Sequence, residues 1–266
     1  RSLWTTRQTL ESYCHTESLF VTLTFSEESM EKMLTGGSLD PGVLRNFLYR
    51  LRNLLSPRKL RFFGVGEYGD VTWRPHFHLS LFGLGVEDRN LITDAWSIRG
   101  VPIGFLDLRP FSKETAQYTA GYVVKKLTKK DDPMLEGRYP EFCRMSTQKP
   151  MRGIGAPAMK ILAESLKKSG IDCLPSQVRI EGKLRPLGRY LTKRLAIEMD
   201  MEREYEERKI QWLQEADIEM SDLLRDKIAS APLAPWSRKT AYVAKNAGKV
   251  ERLEGRHRAV STRRNL

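Results

Sequence analysis

The 266-residue chain is expected to fold as an α+β domain on a central antiparallel sheet flanked by helices, with a mainly helical C-terminal extension. Three observations carry this expectation. Strand-like and helix-like segments are mixed without regular βαβ alternation, and no internal repeat is present. Residues 61–67 and 74–83 read as two strands joined by a turn at Gly69-Asp70, a hairpin with a wide loop. The apolar content of 40% is enough for an ordinary core.

The elements follow in order. Residues 1–18 give little pattern. Phe20-Val21-Thr22-Leu23-Thr24-Phe25 alternates, with Thr22 and Thr24 on one face and Val21, Leu23 and Phe25 on the other, which predicts a strand. A loop at Gly36-Gly37-Ser38-Leu39-Asp40-Pro41 offers Asp40 as a helix cap and Pro41 as the first helical residue. Val43, Leu44, Phe47, Leu48, Leu51 and Leu55 then recur at helical spacing, with Arg45, Arg50 and Arg52 decorating the helix. After the hairpin, a helix is expected at 87–97 and a strand at 101–109 through Ile103, Phe105 and Leu108. A further helix is expected from Ser112, its cap, to Lys129.

The polar break Lys129-Lys130-Asp131-Asp132-Pro133 sets the first boundary, giving a core of residues 1–130. Residues 131–200 form an extension packed on it. There, Gly153-Ile154-Gly155 is a turn before a helix reaching about Lys168, and Val178 to Leu187 a short hairpin. A charged helix is expected over 188–228. Residues 201–266 comprise its later part and a basic tail, with Arg256, Arg258, Arg263 and Arg264, expected to be poorly ordered.

The net charge of +12 and pI near 9.7 favour polyanionic partners, nucleic acid before acidic membrane surfaces. No apolar run of about 18 residues exists, so no membrane span is expected. Cys14, Cys143 and Cys173 are odd in number, far apart and without a CxxC pair. That argues against a disulfide framework or structural zinc and fits a reducing cytoplasm. There is no secretory signal, and the first residue is Arg1 rather than Met, so residues are expected to be missing upstream.

The chemistry-bearing residues lie in two places. In Arg74-Pro75-His76-Phe77-His78-Leu79-Ser80-Leu81, period-two alternation puts His76, His78 and Ser80 on one face and Phe77, Leu79 and Leu81 on the other. If the hairpin register sets Glu67 opposite His76, all three side chains share that face. Glu67, His76 and His78 then supply two imidazoles and a carboxylate, a donor set for a divalent cation with positions left for water and a phosphate oxygen. Two satisfied or surface histidines are the ordinary alternative. The second place is the helix from Ser112. Projected at about 100° per residue, Ala116, Ala120, Val123, Val124 and Leu127 fall in one sector. Tyr118, Tyr122, Lys125, Lys126 and Lys129 fall in the opposite one. Half-buried boundary tyrosines are the structural alternative. A phenol ionises near pH 10 and is a poor nucleophile at neutrality, and nearby ammonium groups favour its phenolate.

Together these residues resemble the HUH endonucleases that initiate rolling-circle replication: HxH on a central strand, then a helix with YxxxYxxKK. The fuller pattern is similar to replication initiators of gokushovirus-like single-stranded DNA phages of the Microviridae. It comprises Gly66-Glu67-Tyr68-Gly69-Asp70, Arg74-Pro75-His76-Phe77-His78, Met145-Ser146, Gly153-Ile154-Gly155 and Pro186-Leu187-Gly188-Arg189-Tyr190. The resemblance covers about residues 18–195. It implies an HUH, RRM-like or ferredoxin-like sheet and a Mg²⁺ or Mn²⁺ ion on Glu67, His76 and His78. It implies a metal-dependent nicking and joining activity on single-stranded origin DNA. Tyr122, first, and Tyr118, second, are the implied nucleophiles, and the intermediate is a 5′-phosphotyrosine beside a free 3′-OH. Lys125 and Lys126 would bind phosphate or lower the phenol pKa, and Arg74, Lys129 and Lys130 would contact DNA. A host helicase and polymerase are the implied partners, in the host bacterial cytoplasm and with no membrane. The family's stretch before the glycine turn is tight, whereas Pro150 is here separated from Gly153. Two rivals fit parts of the pattern: a metal-independent phosphoesterase, and a basic RRM-like module that binds single strands without cutting them.

Overall fold

The computed structural model describes residues 2–32, 37–69, 72–124, 133–148, 152–208, 210, 211 and 214. Its centre is a five-stranded, fully antiparallel sheet. The strands are β1 (Ser18–Thr24), β2 (Arg61–Tyr68), β3 (Pro75–Phe82), β6 (Leu106–Pro110) and β7 (Phe142–Met145), in the order β6-β1-β3-β2-β7. Two short ladders stand apart from it: β4 (Ser97–Ile98) with β5 (Val101–Pro102), and β8 (Gln177–Ile180) with β9 (Lys183–Pro186). The α+β class and the central antiparallel sheet are as the alternation pattern requires.

The strand carrying the histidines is the middle strand, so both faces of β3 are covered. One face presents Phe77, Leu79 and Leu81 to helix α3 (Pro41–Leu55), whose Leu44, Phe47, Leu48, Leu51 and Leu55 are buried. Each such side chain contributes about 1.5–3 kcal/mol on burial. The Asp40 carboxylate accepts from the Gly42 N–H at 2.7 Å and caps α3, with Pro41 in its first turn. Trp96, fully buried against Phe25, Phe47 and Phe77, closes this layer.

The other face of the sheet carries Phe63, Val65 and Phe82, packed with Ile154, Trp4, Tyr122 and Val123. Two helices cover it: α5 (Lys113–Val124) and α1 (Ser2–Ser12). Ser112 begins α5 as expected, its hydroxyl accepting from the Thr115 N–H at 3.3 Å. The first 18 residues show little pattern, yet they supply α1. The reason is composition: α1 buries Thr5, Thr6, Gln8, Thr9 and Glu11, so no apolar stripe marks it.

Those polar side chains are tied to the rest of the fold. Gln8 is fully buried; its Oε1 accepts from Ser80 Oγ at 2.7 Å and Thr119 Oγ1 at 3.1 Å, and its Nε2 donates to the Ala116 carbonyl at 3.4 Å. One amide therefore fastens α1 to both β3 and α5. Glu11 accepts from Arg61 Nε and Nη2 and, at 2.6 Å, from the Gly155 N–H. Arg61 also donates to the carbonyls of Arg152 and Gly153, at 3.0 and 3.2 Å. The Gly153-Ile154-Gly155 turn is thus held by a buried ion pair, and Gly155, at φ 81°, begins α6 (Ala156–Lys168). A Cβ on Gly155 would stand 3.0 Å from the Arg7 carbonyl, in a backbone conformation that already favours glycine.

Several expected elements differ. The strand at 101–109 is two, β5 and β6, because Ile103 and Phe105 turn to receive hydrogen bonds from Ser26 and Thr24. The helix at 87–97 is a 3-10 turn, Val86–Asp88, followed by α4 (Arg89–Ala95). The helix over 188–228 ends early: α7 (Gly188–Met199) stops before Asp200, at φ 61°. The helix α2 (Glu27–Lys32) and strand β7 carry no clear periodicity, and the sequence does not announce them. The stretch from 125 to 132 and residues 215–266, with the basic tail, lie outside the described residues.

Chain contacts divide the protein into Arg1–Met199 and Asp200–Leu266. In the second unit, residues 202–208 are helical, with Arg203 on Glu207 at 3.0 Å and Arg208 on Glu204 at 2.5 Å. Among the described residues, no helix is long and apolar enough to cross a membrane.

The Glu11 carboxyl is held below its ordinary pKa; burial opposes this, but hydrogen bonds from His15, Arg61 and Gly155 and the Arg61 charge outweigh it. A depressed carboxylate adds stability that is complete above its ordinary pKa and is lost as pH falls through the folded value. Glu11→Gln is therefore expected to cost about 3–5 kcal/mol at neutral pH in urea unfolding, by leaving Arg61 buried and uncompensated. The deficit should shrink as the pH is lowered below about 4. A deficit that grows in acid would contradict this.

Candidate active site

The register of the sheet builds the site. Glu67 on β2 is the Cα partner of His76 on β3, and Thr24 and Thr22 on β1 are the partners of His76 and His78. Directly paired residues point to the same face, so Glu67, His76, His78 and Thr22 all face α5. Glu67 reaches diagonally, and its Oε1 accepts from His78 Nε2 at 2.7 Å. On the other side of the ring, Thr22 Oγ1 lies 3.1 Å from His78 Nδ1. With Nε2 donating to a carboxylate, the neutral imidazole accepts from Thr22 at Nδ1. Glu67 and His78 are both buried. His76 is half-buried, its ring stacked 6.2 Å from His78 at 9°. Burial, and then the neighbouring His78, push its pKa below the ordinary histidine value.

The tyrosine helix lies over this patch. Tyr122 stacks on His78 at 5.7 Å and 8°, and Tyr118 meets the same ring edge-on at 5.2 Å and 90°. Phe20 completes the aromatic set, 6.0 Å from both His78 and Tyr118. The Tyr122 hydroxyl donates to the Tyr118 hydroxyl at 2.7 Å. Tyr118 is 45% exposed, whereas Tyr122 is half-buried against Cys143 and Met145, so the two phenols differ in access. Burial pushes the Tyr122 phenol far above its ordinary range, and its hydrogen bond to Tyr118 and the Glu67 charge act in the same direction. The described surroundings of Tyr122 thus oppose the phenolate that neighbouring lysines are expected to favour.

An open cleft of about 420 Å³ gives access to the rings. Phe20, Thr22, His78 and Tyr118 line it, with Asp107, Arg109, Glu114 and Thr115 at its rim. Asp107 is engaged by Arg109 at 2.8 Å.

The structure therefore brings Glu67, His76, His78, Tyr118 and Tyr122 to one place. Arg74 is elsewhere in its contacts: its guanidinium pairs with Glu27 of α2, and its carbonyl closes the β2–β3 loop by accepting from Gly69 at 3.0 Å. Lys125, Lys126, Lys129 and Lys130 lie outside the described residues. As for a metal, Glu67 and His78 converge, but among the described residues no three His, Cys, Asp or Glu groups are arranged to hold an ion. His76 does not join them as a third donor at the side-chain positions described. Thr22 and Gln8 are not marked as site residues by the sequence. The alternation of β1 places Thr22 on the correct face, but its partner depends on which strand lies beside it.

Residues 18–131 match the family model for replication-associated proteins of the ORF2 type. Among curated proteins, the chain is 30% identical over 167 residues to "Replication-associated protein ORF2" of Spiroplasma virus 4, covering 57% of this chain and 50% of that protein. It is 28% identical over 140 residues to "Replication-associated protein VP4" of Bdellovibrio phage phiMH2K, covering 46% and 43%. The chain spans about half the length of the curated relatives it matches. No solved structure gives a significant match.

Thr22→Val keeps the shape of the side chain and removes the His78 partner. It is expected to cost about 0.5–1.5 kcal/mol in denaturant unfolding, whereas Thr22→Ser stays near wild type. Equal stability of the two variants would contradict the hydrogen bond.

Proposed function

We propose, from the premise that residues 18–131 fall in the ORF2-type family of replication-associated proteins, that this chain initiates rolling-circle replication of a phage genome inside the bacterial host. It acts by nicking and rejoining single-stranded origin DNA through a tyrosine. The observation that carries the reading is the contact of two phenols, Tyr118 and Tyr122, with the buried His78–Glu67 pair. A basic binding module has no need of a buried carboxylate under its aromatic residues, because that charge repels the strand it binds.

Each residue has a part in the reaction. Aromatic faces of Phe20 and Tyr118 border the cleft and offer stacking surfaces to bases flanking the scissile phosphate. A phenol oxygen attacks phosphorus, the bond to the 3′ oxygen breaks, and the products are a 5′-phosphotyrosine and a 3′-OH. The reverse attack by a 3′-OH restores the phosphodiester, so joining needs no external energy source. The hydrogen bond between the two hydroxyls keeps a second phenol beside the first for a second transfer. Gln8 and Thr119 hold α5 at a fixed height above β3 and thus set the distance between phenols and histidines.

By donor type, Glu67, His76 and His78 suit a divalent cation, Mg²⁺ or Mn²⁺. The Glu67 Oε1 and His78 Nε2 atoms already aim at one another and share a proton. A bound ion would polarise the phosphate and stabilise the charge that develops in the transition state. Lys125 and Lys126 are assigned to phosphate binding from their place in the sequence alone. A helicase and a polymerase of the host are the partners this activity requires.

The test is a denaturing gel with labelled single-stranded origin DNA and Mn²⁺. Wild type should give a covalent adduct that EDTA abolishes, Tyr118→Phe and Tyr122→Phe should each retain part of it, and the double variant should lose it. An undiminished adduct in the double variant would overturn the assignment, and EDTA-insensitive cleavage would favour the phosphoesterase rival.

A further inference from the structure

A second cleft, about 440 Å³, is built from α1, β7, the Gly153 turn and α7. Arg7, Met145, Arg152, Tyr190, Lys193 and Arg194 line it, with no carboxylate among its lining residues. The cations differ in how they are held. Arg7 is fixed: its guanidinium lies over the rings of Trp4 and Tyr190, at 4.3 and 4.5 Å, and its Nε donates to the Ile154 carbonyl at 2.9 Å. Arg194 gives one nitrogen to Glu198 at 2.8 Å, while its buried Nε has no hydrogen-bond partner among the described residues. The side chains of Arg152 and Lys193 are exposed and have no carboxylate partner among the described residues. Tyr190 accepts from the Gly153 N–H at 2.8 Å, so its own hydroxyl proton is available to a ligand.

This arrangement has a purpose that the folding of the domain does not need. A buried donor without an acceptor is a cost to the fold unless something satisfies it. Four cations converging on a cleft repel one another unless an anion lies between them. An aromatic ring beside fixed guanidinium groups is the pairing that takes a base and its phosphate together. Met145 connects this cleft with the tyrosines, for it lines the cleft and packs in the same apolar cluster as Tyr122.

We propose that this cleft holds a nucleotide of the single-stranded DNA outside the scissile position, with its phosphate between Arg152, Lys193 and Arg194 and its base against Tyr190. The inference rests on single-stranded DNA being the substrate, and it adds a second anchoring point that fixes the direction in which the strand crosses the tyrosines. It also gives the Gly153-Ile154-Gly155 turn and Tyr190 a joint role. The turn positions Tyr190, and Arg152 beside it supplies charge.

The test compares the full chain with an Arg152→Gln/Lys193→Gln variant, using anisotropy of a fluorescein-labelled single-stranded oligodeoxynucleotide at several salt concentrations. Each phosphate neutralised on a single strand contributes a slope of about 0.7 in log affinity against log salt. The variant should therefore bind about tenfold more weakly at low salt, with a slope smaller by about 1.4. An Arg152→Lys/Lys193→Arg variant should keep the wild-type slope. Unchanged slope and affinity in the neutral variant would overturn the inference, as would an equal loss in the charge-conserving variant. Adduct formation is read in parallel. Slope loss without an adduct from wild type would sink the nicking reading and leave the cleft standing; an adduct with unchanged slope would do the reverse.

Discussion

The structure depends on the pairing of β3 with both of its neighbours in one register. A slip of one residue between β2 and β3 would turn Glu67 away from His76 and toward the α3 core, because strand side chains alternate faces. The register is fixed by the apolar face: Phe77, Leu79 and Leu81 are fully buried and cannot be exchanged for His76, His78 and Ser80 without placing imidazoles in the core. The hydrophobic layer against α3 thus determines the polar layer against α5. Catalytic geometry on this reading is a consequence of core packing on the opposite side of the sheet.

The second constraint is the buried polar set of α1. Gln8 meets acceptor and donor demands on β3 and α5 together, and Glu11 fixes Arg61 and the Gly155 turn. Buried amides and carboxylates stabilise little in net terms when satisfied, but each is costly when left unpaired. They therefore specify one placement of the helices rather than many. The tyrosine helix is held at a defined height over the histidines by hydrogen bonds, while the aromatic contacts to His78 and Phe20 supply the packing.

Much of this is legible in the chain. Period-two alternation marks the faces of β1 and β3, helical spacing marks α3, and the cap at Asp40 is visible as a residue type in its place. The tyrosine pair is separable from the apolar sector of its helix by projection. What stays hidden has physical causes. Helix α1 has a polar buried face, so no hydrophobic period announces it. The partner of His78 Nδ1 is set by β1 lying beside β3, a long-range pairing that local pattern does not encode. The basic cleft draws on residues from α1, the Gly153 turn and α7, which no spacing rule connects. Nor can residue order show that burial and Glu67 oppose ionisation of Tyr122.

The central claim is that Glu67, His76 and His78 hold a divalent cation directly beneath the Tyr118/Tyr122 pair. Anomalous diffraction from crystals grown with Mn²⁺ measures this most directly. One peak is expected, coordinated by the Glu67 carboxylate and by nitrogens of His76 and His78, facing the two phenol oxygens. A Mn²⁺ peak elsewhere, with Glu67 still hydrogen-bonded to His78 Nε2 at saturating metal, would contradict it.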